Sequence, residues 1–163
     1  MVLRPFRRGE LDTWWAARLN AYAEQPGGPP TREALGARLE QSGHLENGQL
    51  DIAIDADGLL VGEIGTYRPP TRTLPPSWFE IGVGLFEEAS RGQGFGTEAL
   101  GLLVGWLFEE ARATRVQAAT SPENAAMRRV LEKLGFTAER TLKEGGTQYV
   151  LYAVSRGRWR PPG

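Results

Sequence analysis

The sequence contains no cysteine, which removes disulfide frameworks, thiolate metal sites and a cysteine acyl-enzyme together. Its single histidine, His44, leaves no Cys/His zinc site, and a lone imidazole in a polar stretch is expected on a surface loop. Long apolar runs are missing too. The longest, Ala99 to Phe108, is about half the roughly 20 residues a bilayer span needs, so it is expected as a buried helix. Neither sign of charge dominates: nineteen Lys and Arg face twenty Asp and Glu, a formal charge of -1. No global field would draw the chain to nucleic acid or an anionic membrane, and the partner is expected to be small or local. Arg4, Arg7 and Arg8 are not followed by an apolar h-region, so no secretory signal is expected and a cytoplasmic location is the default.

What is present suits one domain and one active site: 163 residues, 40% apolar and 24% charged. Leu11, Trp14, Trp15, Leu19 and Tyr22 recur at helical spacing up to the breaker stretch Pro26 to Pro30. A second helix is expected from the cap Thr31 to near Gly43. The runs Leu50 to Ile54 and Leu59 to Tyr67 flank an Asp57-Gly58 turn and read as a hairpin. A proline-rich loop, Arg68 to Pro76, leads to a strand from Trp78 to Leu85. From Thr97 to Ala113, positions 99, 102, 103, 106 and 107 predict a helix buried on that face, with Gly101 and Gly105 allowing close approach to the sheet. A strand from Arg115 to Thr120, a helix from the cap Ser121 to Gly135, and strands Thr137 to Leu142 and Thr147 to Ser155 complete a mixed α/β order rather than a βαβ repeat.

The sharpest motif is Arg91-Gly92-Gln93-Gly94-Phe95-Gly96-Thr97, between a strand and a long helix. Glycines let backbone N–H groups converge there, the helix N-terminus adds partial positive charge, and Arg91 adds a charged donor, so the place suits an anion such as a pyrophosphate. A Walker loop fails, because Gly96-Thr97-Glu98 lacks the Gly-Lys-Ser/Thr. A Rossmann fingerprint fails as well, since the spacing is G-x-G-x-G and Val116 to Thr120 ends without a carboxylate.

This R-x-x-G-x-G loop resembles the acetyl-CoA loop of the GNAT N-acetyltransferases. A second segment agrees: Asn124 to Phe136, an Asn, small residues, an apolar stripe and Lys133-Leu134-Gly135-Phe136, resembles that family's later helix motif. The resemblance is strong over residues 78–155 and holds only in element order over residues 1–75, leaving 156–163 as a tail. Val130-Leu131-Glu132-Lys133 is nearest the ribosomal-protein N-terminal acetyltransferase branch. The implied fold is one domain, a mostly antiparallel sheet of about six to seven strands flanked by about four helices, with a splayed strand pair holding acetyl-CoA. The implied reaction is direct acetyl transfer from the thioester to an amine in a ternary complex, without a metal.

By resemblance, backbone groups at Val83, Gly84 and Leu85 bind the pantetheine, one N–H polarising the thioester carbonyl. Arg91, Gly92, Gln93, Gly94, Phe95, Gly96 and Thr97 hold the pyrophosphate, and Asn124 and Lys133 complete the cofactor contacts. Glu80 lies eleven residues before Arg91, where the histone-acetylating branch has its general base; otherwise it orients the amine or binds a neighbouring arginine. The family's tyrosine acid, seven residues after the Asn, is replaced by Leu131, and the serine found three residues after it in the N-terminal branch by Met127. Water, Tyr149, Tyr152 or Ser121 remain to protonate the leaving thiolate. The acceptor side is expected between Trp14 to Thr31 and Lys143 to Tyr152. Its amine is a protein N-terminus or a small molecule, and a cofactor sensor without turnover is the rival. A monomer or homodimer is expected, and the tail with Arg156, Arg158, Trp159 and Arg160 is expected in solvent.

Overall fold

The structure, a computed structural model, describes residues 1–22 and 28–162. Part of the expected breaker stretch, residues 26 and 27, lies outside them. Strand β1 (Val2–Arg4) leads into α1 (Leu11–Tyr22) and α2 (Arg32–Glu40). Then come β2 (Leu50–Ala56), β3 (Leu59–Tyr67), β4 (Trp78–Leu85), α3 (Phe95–Glu109), β5 (Arg115–Thr120), α4 (Ala125–Lys133), β6 (Thr137–Glu144) and β7 (Thr147–Ser155). The strands form one sheet in the order β1-β2-β3-β4-β5-β7-β6, in which only β4 and β5 run parallel. No helix among the described residues is long and apolar enough to cross a membrane.

Period-2 alternation splits the chemistry between the two sheet faces. Ile64, Phe79, Ile81, Val116, Ala118, Tyr152 and Val154 pack with α3 and α4 in the larger core. Phe6, Trp14, Leu35, Leu39 and Ala53 form a smaller core under α1 and α2. Trp14 is fully buried, stacks on Phe6 at 4.1 Å, and donates its indole N–H to Glu63 at 3.0 Å. Thr31 caps α2 as expected, accepting from the Ala34 N–H at 3.1 Å.

Four expectations are corrected. The buried stripe of α3 is Ala99, Leu100, Leu103, Val104, Leu107 and Phe108, while Leu102 and Trp106 are 50% and 41% exposed. The helix is apolar nearly all round, so its sequence sets the period and the sheet sets the phase. Neither helix glycine meets the sheet: a side chain at Gly101 would touch Pro162 and Leu134, and one at Gly105 would touch nothing. Helix α4 begins after Asn124, not Ser121. Asn124 Oδ1 accepts from the Met127 N–H at 3.1 Å, whereas Ser121 Oγ turns to Glu123. The tail is docked: Trp159 is buried near Phe108, and the Arg156 guanidinium donates to the carbonyls of Ala113 and Phe108.

Candidate active site

The parallel pair β4/β5 holds together only at Trp78 with Arg115, Phe79 with Val116, and Glu80 with Gln117. Beyond Glu80, β4 continues to Leu85 and β5 to Thr120 without pairing to each other, so a V-shaped cleft opens in mid-sheet. Backbone alternation shows what lines it. The Phe86 N–H donates to Val61 O at 2.9 Å in register with the β3/β4 ladder. Even-numbered residues of β4 therefore exchange hydrogen bonds with β3, and Val83 and Leu85 direct their N–H and C=O groups into the cleft. Gly84 instead belongs to the ladder opposite Glu63. On the other wall, the Arg156 N–H bonds Thr114 O at 3.1 Å, which by the same alternation turns the Ala119 backbone toward β4.

At the end of β4 the Arg91–Thr97 segment turns into α3. Gly92 and Gly94 have φ of +75° and +83°, and Gly94 is the helix N-cap. A side chain at Gly92, Gly94 or Gly96 would meet nothing within 4 Å. Arg91 N–H is taken by Glu88 O and Glu98 N–H by Gly94 O, whereas the N–H groups of Gly92 to Thr97 have no acceptor among the described residues. Six N–H groups without protein acceptors at a helix N-terminus suit an anion. The Arg91 side chain is exposed, Phe95 and Thr97 are half-buried, and Gln93 folds back, donating from Nε2 to Ala89 O at 2.7 Å.

Glu80 sits at the point where the cleft opens, on the face covered in part by α1 and α2. It is fully buried. Arg72 donates to both its oxygens, Nη1 to Oε1 at 2.6 Å and Nη2 to Oε2 at 2.9 Å, and Gln117 Nε2 adds a third bond at 2.8 Å. Of the roles open to Glu80, binding a neighbouring arginine is the contact observed. Arg72 Nε also donates to Glu144 at 2.7 Å. Burial works against the Arg72 charge, but its bonds to Glu80 and Glu144 outweigh this and hold its pKa above the ordinary guanidinium value.

Register places Glu63, Gly65 and Tyr67 beside Gly84, Gly82 and Glu80 on the same face. A side chain at Gly82 would come within 3.5 Å of the Tyr67 ring, and one at Gly84 within 3.8 Å of Glu63, so the glycine face is partly roofed by β3 side chains. Desolvation of the phenol, then the Glu80 charge, holds the Tyr67 pKa up, although 36% of the residue is exposed. Glu63 is held by Arg18, whose guanidinium lies 5.1 Å from the Tyr22 ring. Glu63, Tyr67 and Arg72 lie outside the expected site residues, and Glu144 lies inside the expected acceptor span 143–152 without having been singled out. The alternation Glu63, Gly65, Tyr67 against Glu80, Gly82, Gly84 was the available signal for the first two; nothing local marks Arg72.

Tyr149 is half-buried opposite Leu142, on the face that also carries Glu144 and Glu80. Tyr152 faces the other way. Its hydroxyl accepts from Arg128 Nε at 3.0 Å and donates to Glu132 Oε1 at 3.2 Å, which fastens β7 to α4. Asn124 uses its carbonyl as the α4 cap, and Lys133 is exposed in the last turn of that helix. A cavity of about 540 Å³ lined by Arg115, Glu139, Arg158 and Arg160 lies at the start of β5, the opposite end from the cleft mouth. Among the described residues no group of His, Asp or Glu could hold a metal ion.

Comparisons with known proteins agree with this geometry. The family description "Acetyltransferase (GNAT) domain" matches residues 1–137. The chain is 32% identical over 103 residues to "Probable N-acetyltransferase YjcK" of Bacillus subtilis (strain 168), covering 63% of this chain and 53% of that protein. It is 31% identical over 137 residues to mycothiol acetyltransferase of Pseudarthrobacter chlorophenolicus, covering 83% of this chain and 42% of that protein. The chain thus spans about half the length of these curated relatives. In fold it resembles aminoglycoside acetyltransferase AAC(6')-Ib, solved with coenzyme A, at a TM-score of 0.75 and 22% identity over 96% of this chain and 95% of that one. It also resembles Mycobacterium smegmatis RimJ, solved with CoA-disulfide, at 0.73 and 22% over 94% and 80%. With a family match over most of its length, the chain belongs to the GNAT acetyltransferase family.

Proposed function

We propose that this protein is an acetyl-CoA-dependent N-acetyltransferase, and the observation that carries the reading is the continuity of two features. The anion cradle at Gly92 to Thr97 lies at the end of the same strand whose Val83 and Leu85 backbone groups face the cleft. A long ligand with a pyrophosphate at one end and an amide-bearing arm fits that path: phosphate oxygens on the N–H groups and Arg91, amides on the cleft walls. The solved relatives AAC(6')-Ib and RimJ hold CoA species. When bound, acetyl-CoA supplies the activated acetyl group. The Val83 and Leu85 N–H groups are the donors available to its thioester carbonyl. Asn124, with its amide nitrogen free of the cap, and Lys133 are the α4 residues available to the cofactor.

The acceptor amine approaches from the face of Glu63, Tyr67, Glu80 and Tyr149. Both Glu80 oxygens are engaged, so in this reading water in the acceptor cleft takes the ammonium proton and Glu80 fixes the strand that binds the cofactor. Tyr149 then replaces the acid missing at Leu131 and Met127, protonating the thiolate, since Tyr152 is bound to α4. The acceptor named for this reading is a peptide N-terminus.

Thermal shift with acetyl-CoA tests the cofactor half. Wild type is expected to be stabilised, by about 2.7 kcal/mol at a hundredfold excess over Kd, and Arg91→Glu to lose the shift. An unshifted wild type defeats the reading. Release of free CoA with an alanine-headed tetrapeptide and with kanamycin tests the acceptor half. Silence on both, with acetyl-CoA bound, favours a sensor without turnover.

A further inference from the structure

Building on this reading, we infer that Arg72 is a positioning residue that pins the β6/β7 hairpin and the 68–76 loop across the acceptor cleft through one buried and one releasable ion pair. Loop 68–76 is a strap braced from within. Arg68 donates to the carbonyls of Pro75 (3.2 Å), Pro76 (3.1 Å) and Trp78 (2.6 Å), which leaves the segment carrying Arg72 little freedom. From this strap Arg72 reaches two strands that are not neighbours in the sheet, β4 at Glu80 and β6 at Glu144; β5 and β7 lie between them.

The two arms differ. The Glu80 carboxylate is 1% exposed and takes a bidentate pair, so losing its counter-charge would strand a buried anion. Glu144 is 25% exposed and takes a single bond from Nε, so water can replace that bond at small cost. Glu144 is also the last residue of β6, directly before Gly145 and Gly146, whose φ of +57° and +81° make the tight hairpin turn. The weaker arm therefore holds the hairpin tip, and the hairpin presents Leu142 and Tyr149 on the acceptor face. Arg72 sets where that wall stands, and release at Glu144 frees the hairpin without unsettling Glu80 or the cofactor strand.

Glu144→Ala cuts the outer arm and leaves the inner one, while Arg72→Lys keeps the charge but loses the fork. Hydrogen exchange on the full chain is read first, because it needs no substrate. Glu144→Ala is expected to raise exchange of hairpin amides 142–149 several-fold while those of β4 keep their protection. The acetyl-CoA thermal shift is expected to stay at the wild-type value, and the tetrapeptide KM to rise roughly three- to tenfold with kcat unchanged. Arg72→Lys is expected to loosen loop and hairpin together. Unchanged hairpin exchange in Glu144→Ala overturns the inference, as does a loss of acetyl-CoA binding equal to the loss of acceptor binding. If wild type binds no acetyl-CoA, the functional reading fails, and the exchange data still decide whether Arg72 pins the hairpin.

Discussion

Replacing Gly94 by alanine tests the anion cradle against its neighbour Gly96. Gly94 caps α3 at φ +83°, and a side chain there would meet nothing, so backbone conformation is the whole cost. An L-residue in that region loses about 1–2 kcal/mol. Relaxing to negative φ would rotate the Gly94 and Phe95 N–H groups out of the cradle. A hydrogen bond to a charged acceptor is worth about 1.5–3 kcal/mol, so losing one weakens acetyl-CoA roughly ten- to hundredfold. At a concentration giving wild type a stabilisation of about 2.7 kcal/mol, Gly94→Ala would keep only about 0.4–1.4 kcal/mol. Gly96 lies inside the first turn of α3 with the same empty surroundings and helical backbone. Gly96→Ala is expected to stabilise the free protein by about 0.5–1 kcal/mol and to keep its response to acetyl-CoA, because the N–H directions do not change. Thermal denaturation of both variants with and without acetyl-CoA reads all four quantities. A Gly94→Ala protein with the full wild-type shift would refute the cradle.

Four further outcomes follow from the packing. A side chain at Gly65 would land on the carbonyl oxygen of Leu50 across the β2/β3 ladder, so Gly65→Ala is expected to cost about 3 kcal/mol or more in urea unfolding. Tyr152→Phe loses the bonds to Arg128 and Glu132 and is expected to lower stability by about 1–2 kcal/mol without altering the acetyl-CoA shift; Tyr149→Phe is expected to slow CoA release with little change in stability. Burial opposes ionisation of Glu10, but its bonds from Arg4 and the Arg7 backbone win and hold its pKa below the ordinary value; the Arg4 bond does the same for Asp55. Folded pKa values below the unfolded ones give stability that is present above about pH 4–4.5 and lost as pH falls through the folded values. Denaturation midpoints between pH 6 and 2.5 should show that loss, with a shallower acid limb in Arg4→Met.

How much of this was legible in the sequence depends on the range of the interaction that decides each feature. The strands Leu59–Tyr67 and Thr147–Ser155 have the bounds that their turn residues and alternation predict, and Thr31 caps α2 as its spacing predicts. These are decided within a few residues. The phase of α3 is decided by the sheet, and the spacing of a helix apolar nearly all round does not contain it. The start of α4 was placed at Ser121 because Ser-Pro suits a helix start, yet Asn124 offers an oxygen to the Met127 N–H and wins the competition one turn later. The contacts of Glu80 are decided by Arg72 on a proline-rich loop and by Gln117, 37 residues away; the second contact of Arg72 lies 72 residues away. Spacing rules carry no information at that range.

The same pairing bears on which amine the acceptor face accepts. Among the described residues, its sheet carboxylates are matched by arginines: Asp51 by Arg38, Glu63 by Arg18, and Glu80 with Glu144 by Arg72. A polycation gains affinity from carboxylates that are free to receive its charges. At Asp51, Glu63 and Glu80 a cation would first have to displace a guanidinium, which costs more than an exposed ion pair returns; only the single bond at Glu144 opens at small cost. With four carboxylates already facing three guanidiniums, the face keeps little free negative charge for a polycation, while leaving room for a single amine that has shed its proton. The tetrapeptide is therefore expected to release CoA faster than kanamycin, although AAC(6')-Ib shares the fold. The reverse order would mean that at least one of these pairs opens when the acceptor binds, and Arg18→Met would then raise kanamycin turnover by freeing Glu63.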